Sequence, residues 1–422
     1  MAPPALWVYR TLLRVALTVT APWLLLEDRR RRLERPPLSQ RLGWGLPPLP
    51  RDGLWIQAVS VGEVAVARPL LLELRRRHPE LPLILSSTTA TGIATAVGHR
   101  AADVVVPFPV DLPGPVRRCL DAARPRLVVL VETELWPELL ASCGARGIPV
   151  VLVNARISDS SYRGYRAGRF FLQPLLRPVT LVLAQGDEEA TRLAALGIPR
   201  EKIRVTGNIK FDAAPARPAP PELIERLRAL AAGRPILVAG STMAGEEQAV
   251  LGAVSRLPAD LQPFLLIAPR HPDRGGDVLR LAQVRGLQAA RRTCLEAASA
   301  ACRVVLLDTV GELAALYELA TVAFVGGSLV KSGGHNPIEP ARFGVPVLSG
   351  PHIRNFASVY QHFLAEGAAR IVRDERELAD ALTAWSANPA TARRAGEAGR
   401  QLLLRHSGAT ARNVDALEAF LS

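Results

Sequence analysis

From Leu54 onward, short, mainly apolar runs rich in β-branched residues alternate with stretches whose apolar residues recur every three or four positions. The runs Leu54–Val59, Leu83–Ser87, Asp103–Val106, Leu127–Val131, Val150–Asn154, Leu181–Ala184 and Ile203–Thr206 predict strands, and Glu63–Arg77, Trp136–Arg146 and Glu188–Leu196 predict helices between them. Strands with no polar face belong to a parallel sheet covered by helices on both sides. The alternation stops at the proline-rich stretch Asp212–Pro221, which excludes a helix and favours an extended linker. It resumes with strands at Ile236–Ala239, Phe264–Ala268, Val304–Leu307, Val322–Val325 and Val345–Leu348, and the tail Glu375–Leu421 reads as helix broken near Pro389. The pattern predicts an α/β chain of two Rossmann-like, doubly wound lobes. Ligands of such sheets bind outside the carboxyl ends of the strands, here in an interlobe cleft.

The N-terminal pattern is different. Residues Ala5–Leu26 are apolar apart from Arg10, Arg14 and a few threonines, and as a helix they extend about 33 Å. An arginine in mid-membrane costs about 2.5 to 3.5 kcal/mol, so spanning and interfacial attachment both stay open, as does packing against the protein itself. The run Arg29–Arg32 favours a cytoplasmic position for the domain after it. A cleavable signal is disfavoured, because its charges precede the apolar run. These segments divide the chain into an anchor with its basic flank (1–35), a first lobe (36–212), a hinge (213–221) and a second lobe (222–422).

Composition adds exclusions. With 422 residues, 49% hydrophobic and 22% charged, the chain is neither collagen-like, disordered nor a polytopic membrane protein. The formal charge of +13 invites a nucleic-acid reading. Yet residues 1–51 hold nine basic residues against three acidic ones, and the basic cluster Arg29–Arg35 has no interleaved aromatics and lies beside an apolar run. That arrangement suits an anionic membrane surface rather than a nucleic acid. The four cysteines form no CxxC pair and fit a reducing compartment. Only three of the 52 basic residues are lysines, so each lysine stands out.

Fingerprints of dinucleotide binding, P-loop hydrolysis, serine hydrolases and common metal sites are absent. The chemistry-bearing residues fall at strand-to-helix junctions instead. Ser60, Gly62 and Glu63 follow the first strand; Glu63 is either a general base on an incoming hydroxyl or a first-turn acid complementing the helix dipole. Glu132-Thr133-Glu134 follows the fourth strand, where simple N-capping by Thr133 competes with a catalytic role. Lys210 precedes the linker, either facing an anion as a compact charge or as a solvated linker residue. In the second lobe Arg270, after Pro269, offers a guanidinium to a phosphate. Ser241-Thr242 and Gly311-Glu312 read as helix openings able to receive an anion. Gly327, Ser328, Gly334 and His335 form a glycine context for close backbone approach, and Pro337 starts a helix whose Glu339 is placed to accept ribose hydroxyls.

The motifs RLGWG, AVSVGEVAVARPLL, TTATG, ETELWPELL, VNARIS, TGNIKFD, PRHP, GGSLVKSGGHNPIEPA and GPHIRNF occur in one order from Arg41 to Phe356. In them the chain resembles the 3-deoxy-D-manno-oct-2-ulosonic acid (Kdo) transferases of lipopolysaccharide synthesis. The resemblance implies a GT-B glycosyltransferase at the cytoplasmic face of the inner membrane, moving Kdo from CMP-Kdo to lipid IVA with inversion, without cofactor or active-site metal. It assigns the general base to Glu63, transition-state roles to Glu132 and Lys210, and CMP contacts to Pro269, Arg270, Val310, Gly311, Glu312, Asn336, Pro337, Ile338 and Glu339. It departs at Ala244, where the family usually has His. Two rivals remain: another GT-B enzyme resembling a UDP-sugar epimerase, and a non-enzymatic protein bound to anionic lipid.

Overall fold

A computed structural model describes residues 3–30, 37–212 and 218–421. Part of the basic flank and the start of the proline-rich linker therefore lie outside the described residues. The chain divides into two compact units, residues 1–213 with 407–422, and residues 214–406.

The first unit holds β1 (Leu54–Gln57), β2 (Leu83–Ser87), β3 (Val104–Pro107), β4 (Leu127–Val131), β5 (Val150–Ala155), β6 (Leu181–Ala184) and β7 (Ile203–Val205). All pair in parallel in the order β3-β2-β1-β4-β5-β6-β7. Alternate side chains of one strand serve two cores: Val129 and Val131 join Leu54, Ile56 and Leu70, while Val128 and Leu130 join Trp55, Phe108 and Leu139. This double burial is why these strands are apolar on both faces over most of their length. Between β1 and β4 the strand order reverses, leaving a crevice at their carboxyl ends.

The second unit repeats the plan with β8 (Ile236–Thr242), β9 (Phe264–Pro269), β10 (Ala289–Arg291), β11 (Val304–Leu306), β12 (Val322–Val325), β13 (Val347–Ser349) and β14 (Ala369–Ile371). They are parallel in the order β10-β11-β9-β8-β12-β13-β14, with the reversal between β8 and β12. Two edge strands, β10 and β14, escape the sequence pattern because each is three residues long and holds at most one bulky apolar residue, none in Ala289–Arg291 and Ile371 alone in Ala369–Ile371.

The tail helices are Glu375–Ala387, Pro389–His406 and Ala409–Glu418. The last belongs to the first unit rather than the second. Asp212 accepts hydrogen bonds from the N–H groups of Gly408 and Thr410, Arg77 pairs with Asp415 at 2.6 Å, and Val414 and Leu417 enter the core beside Val64 and Leu70.

The N-terminal helix α1 spans Pro4–Arg30. Its first turns are tied to the first unit through polar groups. Leu6 is buried, the Tyr9 hydroxyl donates to Asp111 at 2.9 Å, and the Arg10 fork reaches Glu138 at 2.5 and 2.9 Å. Arg10, read from the sequence as an obstacle to insertion, is thus neutralised by a carboxylate that is 2% exposed. Trp7, Val8, Leu12, Val15 and Val19 point outward. Among the described residues no helix is long and apolar enough to cross a membrane.

Candidate functional site

In the first unit, Ser60 and Glu63 sit where β1 turns into the helix Val61–Arg77, and Glu132 directly follows β4. Both therefore lie at the reversal of strand order. Glu63 Oε2 accepts from the Val59 N–H at 2.7 Å and Oε1 from the Ser60 hydroxyl at 3.1 Å. The carboxyl stands in the first turn of its helix, where the dipole reading put it, but it reaches back to the residues before the helix and caps none of the helix's own N–H groups. It is also held at about 7, first because burial disfavours its charge and then because Glu134 and Glu132 repel it, against the lowering effect of the two hydrogen bonds. A carboxylate in that range is matched to proton abstraction near neutrality. The flanking Gly62 leaves open space, with only the Ser60 hydroxyl within reach of a β-carbon.

Glu132 adopts left-handed backbone at φ 60°, as does Asn154 at φ 53° near the end of the neighbouring β5. Such geometry costs a non-glycine residue of order 1–3 kcal/mol and persists only where contacts enforce it. The contacts are visible. Glu132 Oε1 lies 3.0 Å from Lys210 Nζ, and Oε2 accepts from Arg156 Nε at 2.8 Å. The Thr133 hydroxyl accepts from the Arg156 N–H at 3.0 Å and donates to the Arg156 carbonyl. Asn154 Oδ1 accepts from the Ile209 N–H at 2.9 Å, fixing the segment that carries Lys210. Burial by itself would raise the Glu132 carboxyl, but Lys210 and Arg156 together hold it below the usual carboxylate range. Glu134, raised by burial and by Glu132, gains no such lowering from a cation.

These contacts decide two alternatives. Thr133 caps no helix, because the next helix, Pro137–Arg146, is instead capped by Asp111, which accepts from the N–H groups of Glu138 and Leu139. Lys210 is no solvated linker charge, because it is 11% exposed and paired with Glu132. Arg156 is the member that motif-by-motif reading left unassigned, although it lies within VNARIS.

The second unit builds a different site at its own reversal. Glu246 is fully buried and spreads its charge over four backbone N–H groups, from Met243, Gly327, Ser328 and Leu329, at 2.6 to 2.8 Å. This carboxylate fixes the glycine turn after β12. Ser328 donates to the Val325 carbonyl and accepts from the Gly350 N–H. At Gly327, φ is +68° and a β-carbon would fall 2.7 Å from the His335 ring, so only glycine fits. Gly334 donates its N–H to the Gly327 carbonyl at 2.8 Å. His335 is held neutral, down at about 4, by burial and then by Arg270 and His271, and its Nε2 has no hydrogen-bond partner among the described residues.

Asn336 Oδ1 accepts from the Ile338 N–H at 3.0 Å and its amide donates to Glu339 at 3.2 Å; Pro337 stands at the N-cap of the short helix Ile338–Ala341 rather than as its first residue. Glu339 stands in that helix's first turn, and burial raises its carboxyl. Ser241 and Thr242 end β8 instead of opening a helix, which begins only at Glu246; the strand bulges there and Ser241 has φ 54°. Thr242 donates to Glu247, and its carbonyl accepts from the Arg270 N–H at 2.9 Å. Pro269 closes β9 and Arg270 is exposed just beyond it. Gly311 and Glu312 do precede a helix, Leu313–Leu316, with Glu312 bound by Arg292 at 3.0 Å and by the Thr309 hydroxyl. Val310 is 86% exposed. Ala244 is exposed and brings no polar atom where a histidine was expected.

Residues 36–213 match the family model of 3-deoxy-D-manno-octulosonic-acid transferase (kdotransferase). The chain is 36% identical over 380 residues to the 3-deoxy-D-manno-octulosonic acid transferase of Haemophilus influenzae, covering 88% of each chain. It is 37% identical over 430 residues to that of Bordetella pertussis, covering 96% of this chain and 98% of the relative. Among solved structures, the UDP-GlcNAc 2-epimerase of Neisseria meningitidis bound to UDP-GlcNAc superposes with a TM-score of 0.55 at 14% identity, covering 87% of this chain and 100% of that one. A glycosyltransferase of Rickettsia africae gives 0.55 at 14% identity, over 88% and 99%. These likenesses establish the GT-B-like fold alone.

Proposed function

The chain belongs to the Kdo transferase family of glycosyltransferases, and from that premise we propose that it moves Kdo from CMP-Kdo to a hydroxyl of lipid IVA with inversion and without a metal, using Glu63 as general base. The observation that carries this reading is the Glu63 carboxyl, buried at the carboxyl end of β1 and held at about 7. Above that pH it is ionised and takes the proton of the acceptor's sugar hydroxyl as the oxygen attacks the anomeric carbon. The bond from that carbon to the phosphate oxygen breaks, and CMP leaves with the electron pair. Ionised Glu132, kept so by Lys210 and Arg156, opposes the positive charge that develops at the anomeric carbon. On the donor side, Asn336 and Glu339 suit ribose hydroxyls, while the Glu246-held glycine turn and Arg270 suit the phosphate.

Attachment to the cytoplasmic face of the inner membrane belongs to the same proposal. Its support is the outward apolar face of α1, the exposed Phe170 and Phe171 on the helix Arg169–Leu176, and the arginines beside them in sequence, Arg163, Arg166 and Arg169. Because Tyr9 and Arg10 are committed to Asp111 and Glu138, we assign interfacial rather than spanning attachment to the first turns of α1.

The test is incubation of purified enzyme with CMP-Kdo and lipid IVA, and in parallel with UDP-sugars, with mass spectrometry of the products. Glu63→Gln keeps an acceptor for the Val59 N–H and should lower turnover by roughly 10²- to 10⁴-fold, the usual worth of a general base. CMP affinity by calorimetry should stay at the wild-type value. Full activity in Glu63→Gln removes the assigned base, and turnover of UDP-sugars alone removes the substrate assignment.

A further inference from the structure

Three strand ends meet around one carboxylate. Glu132 follows β4, Arg156 follows β5, and Lys210 stands beyond β7 on a segment that Asn154 of β5 holds in place. Lys210 takes one oxygen of Glu132 and Arg156 takes the other. The arginine is not interchangeable with the lysine in this arrangement. Its backbone is joined to Thr133 by two hydrogen bonds, so the β4 and β5 ends are fastened together, and only then does its Nε meet Oε2 at 2.8 Å. Lys210 alone leaves Glu132 free to turn about its side chain, because a single point charge sets a distance and not an orientation. The planar guanidinium supplies the second constraint.

We propose that Arg156 is a positioning residue of the transfer reaction: it fixes the orientation and the charge of Glu132, and through Glu132 the field in which Glu63 titrates. The proposal rests on the reading of Glu63 as base. The charged groups bearing on Glu63 are Glu134 and Glu132, and those bearing on Glu132 are Lys210 and Arg156. Removing the arginine takes one positive charge from the cluster while Lys210 still keeps Glu132 ionised, so Glu63 meets a less positive field and its carboxyl must then rise.

The test uses full-length enzyme in detergent micelles, with CMP-Kdo and lipid IVA as substrates, and compares Arg156→Gln and Arg156→Lys with wild type across pH 5 to 9. Arg156→Gln should lower kcat about 10²-fold, the scale of a misplaced catalytic group. KM for CMP-Kdo should stay within about twofold, and the acid limb of kcat should move to higher pH by roughly half a unit to one unit. Arg156→Lys restores the charge without the planar fork, so its acid limb should return to the wild-type position with kcat only partly recovered. The proposal is overturned if Arg156→Gln keeps full kcat, if its loss appears in KM instead, if its acid limb does not move, or if Arg156→Lys does no better than Arg156→Gln. Failure of the underlying reading has a separate signature, the lack of an acid limb near pH 7 in the wild-type enzyme itself. Even then the kcat-against-KM split and the lysine rescue still decide the positioning role.

Discussion

Arg10→Ala is the sharpest probe of how the N-terminal helix is joined to the first unit. Glu138 is 2% exposed and Arg10 18% exposed, and the pair is held by two hydrogen bonds at 2.5 and 2.9 Å. The Ser142 hydroxyl donates to the same carboxylate at 3.2 Å, but brings no charge. Removing one partner of a buried pair strands the other, at about 3 to 5 kcal/mol. The partial exposure of Arg10 places the cost near the lower end, about 3 kcal/mol, or roughly 10²-fold in the folded-to-unfolded ratio. For a unit of this size that corresponds to a fall in melting temperature of about 6 to 12 °C. Differential scanning fluorimetry in detergent reads it directly. Glu138→Gln neutralises the stranded charge, so the double variant should recover part of the loss and give a coupling energy of about 2 kcal/mol in a double-mutant cycle. If α1 instead leaves the first unit to enter a bilayer or micelle, Arg10→Ala melts within a degree of wild type and the cycle shows no coupling. That result would refute the docking of Tyr9 and Arg10 and return α1 to the spanning alternative.

Two further predictions use buried carboxylates. Glu246→Ala leaves four backbone N–H groups without their acceptor, each worth about 1 to 3 kcal/mol when buried, so CMP affinity by calorimetry should fall at least ~10-fold and the second unit should melt earlier; unchanged CMP binding would detach the glycine turn from the donor site. Glu63 has an ordinary carboxyl value of 4.5 and is raised to about 7 in the fold, so the folded state binds the proton more tightly and its ionisation lowers stability progressively as pH rises between those values. Glu63→Gln should therefore raise the melting temperature at pH 8 and change it little at pH 4, and a stabilisation independent of pH would contradict the cause assigned to the shift.

The strands were legible because double burial favours apolar residues on both faces: the five residues of β4 are apolar and buried without exception, and in β1 only Gln57 is polar, its side chain hydrogen-bonded to Ser86 and Thr88. The omissions, β10 and β14, are short edge strands paired on one side only, and with alanine and arginine at most of their positions they offer no apolar run to read. Local pattern also placed Glu63, Glu132 and Lys210 at the ends of strands, where a doubly wound sheet puts its chemistry. What it could not supply was the partner of each group. Thr133 has the spacing of a cap, yet its hydroxyl goes to Arg156 on the next strand's end. The helix Ala409–Glu418 has an ordinary amphipathic pattern, and its place in the first unit depends on Asp212, Arg77 and Thr206, all distant in sequence. An apolar N-terminus is read by counting, and counting does not see that Tyr9 and Arg10 have buried acids waiting for them.

The rarity of lysine shows how far composition can reach. Three lysines among 52 basic residues single out Lys210 as a position where arginine, the common choice, was not used, and the sequence suggests an anion opposite it. The anion that the fold supplies is Glu132, from the same unit. The lysine thus holds a carboxylate of its own unit, and this accounts for the choice of residue: Oε2 is already occupied by a planar guanidinium, so the remaining oxygen, on a side chain 11% exposed, is better met by a compact ammonium than by a second fork. On this argument Lys210 and Arg156 are a matched pair whose types are set by each other, and each should tolerate the other's residue type less well than an isolated surface cation would.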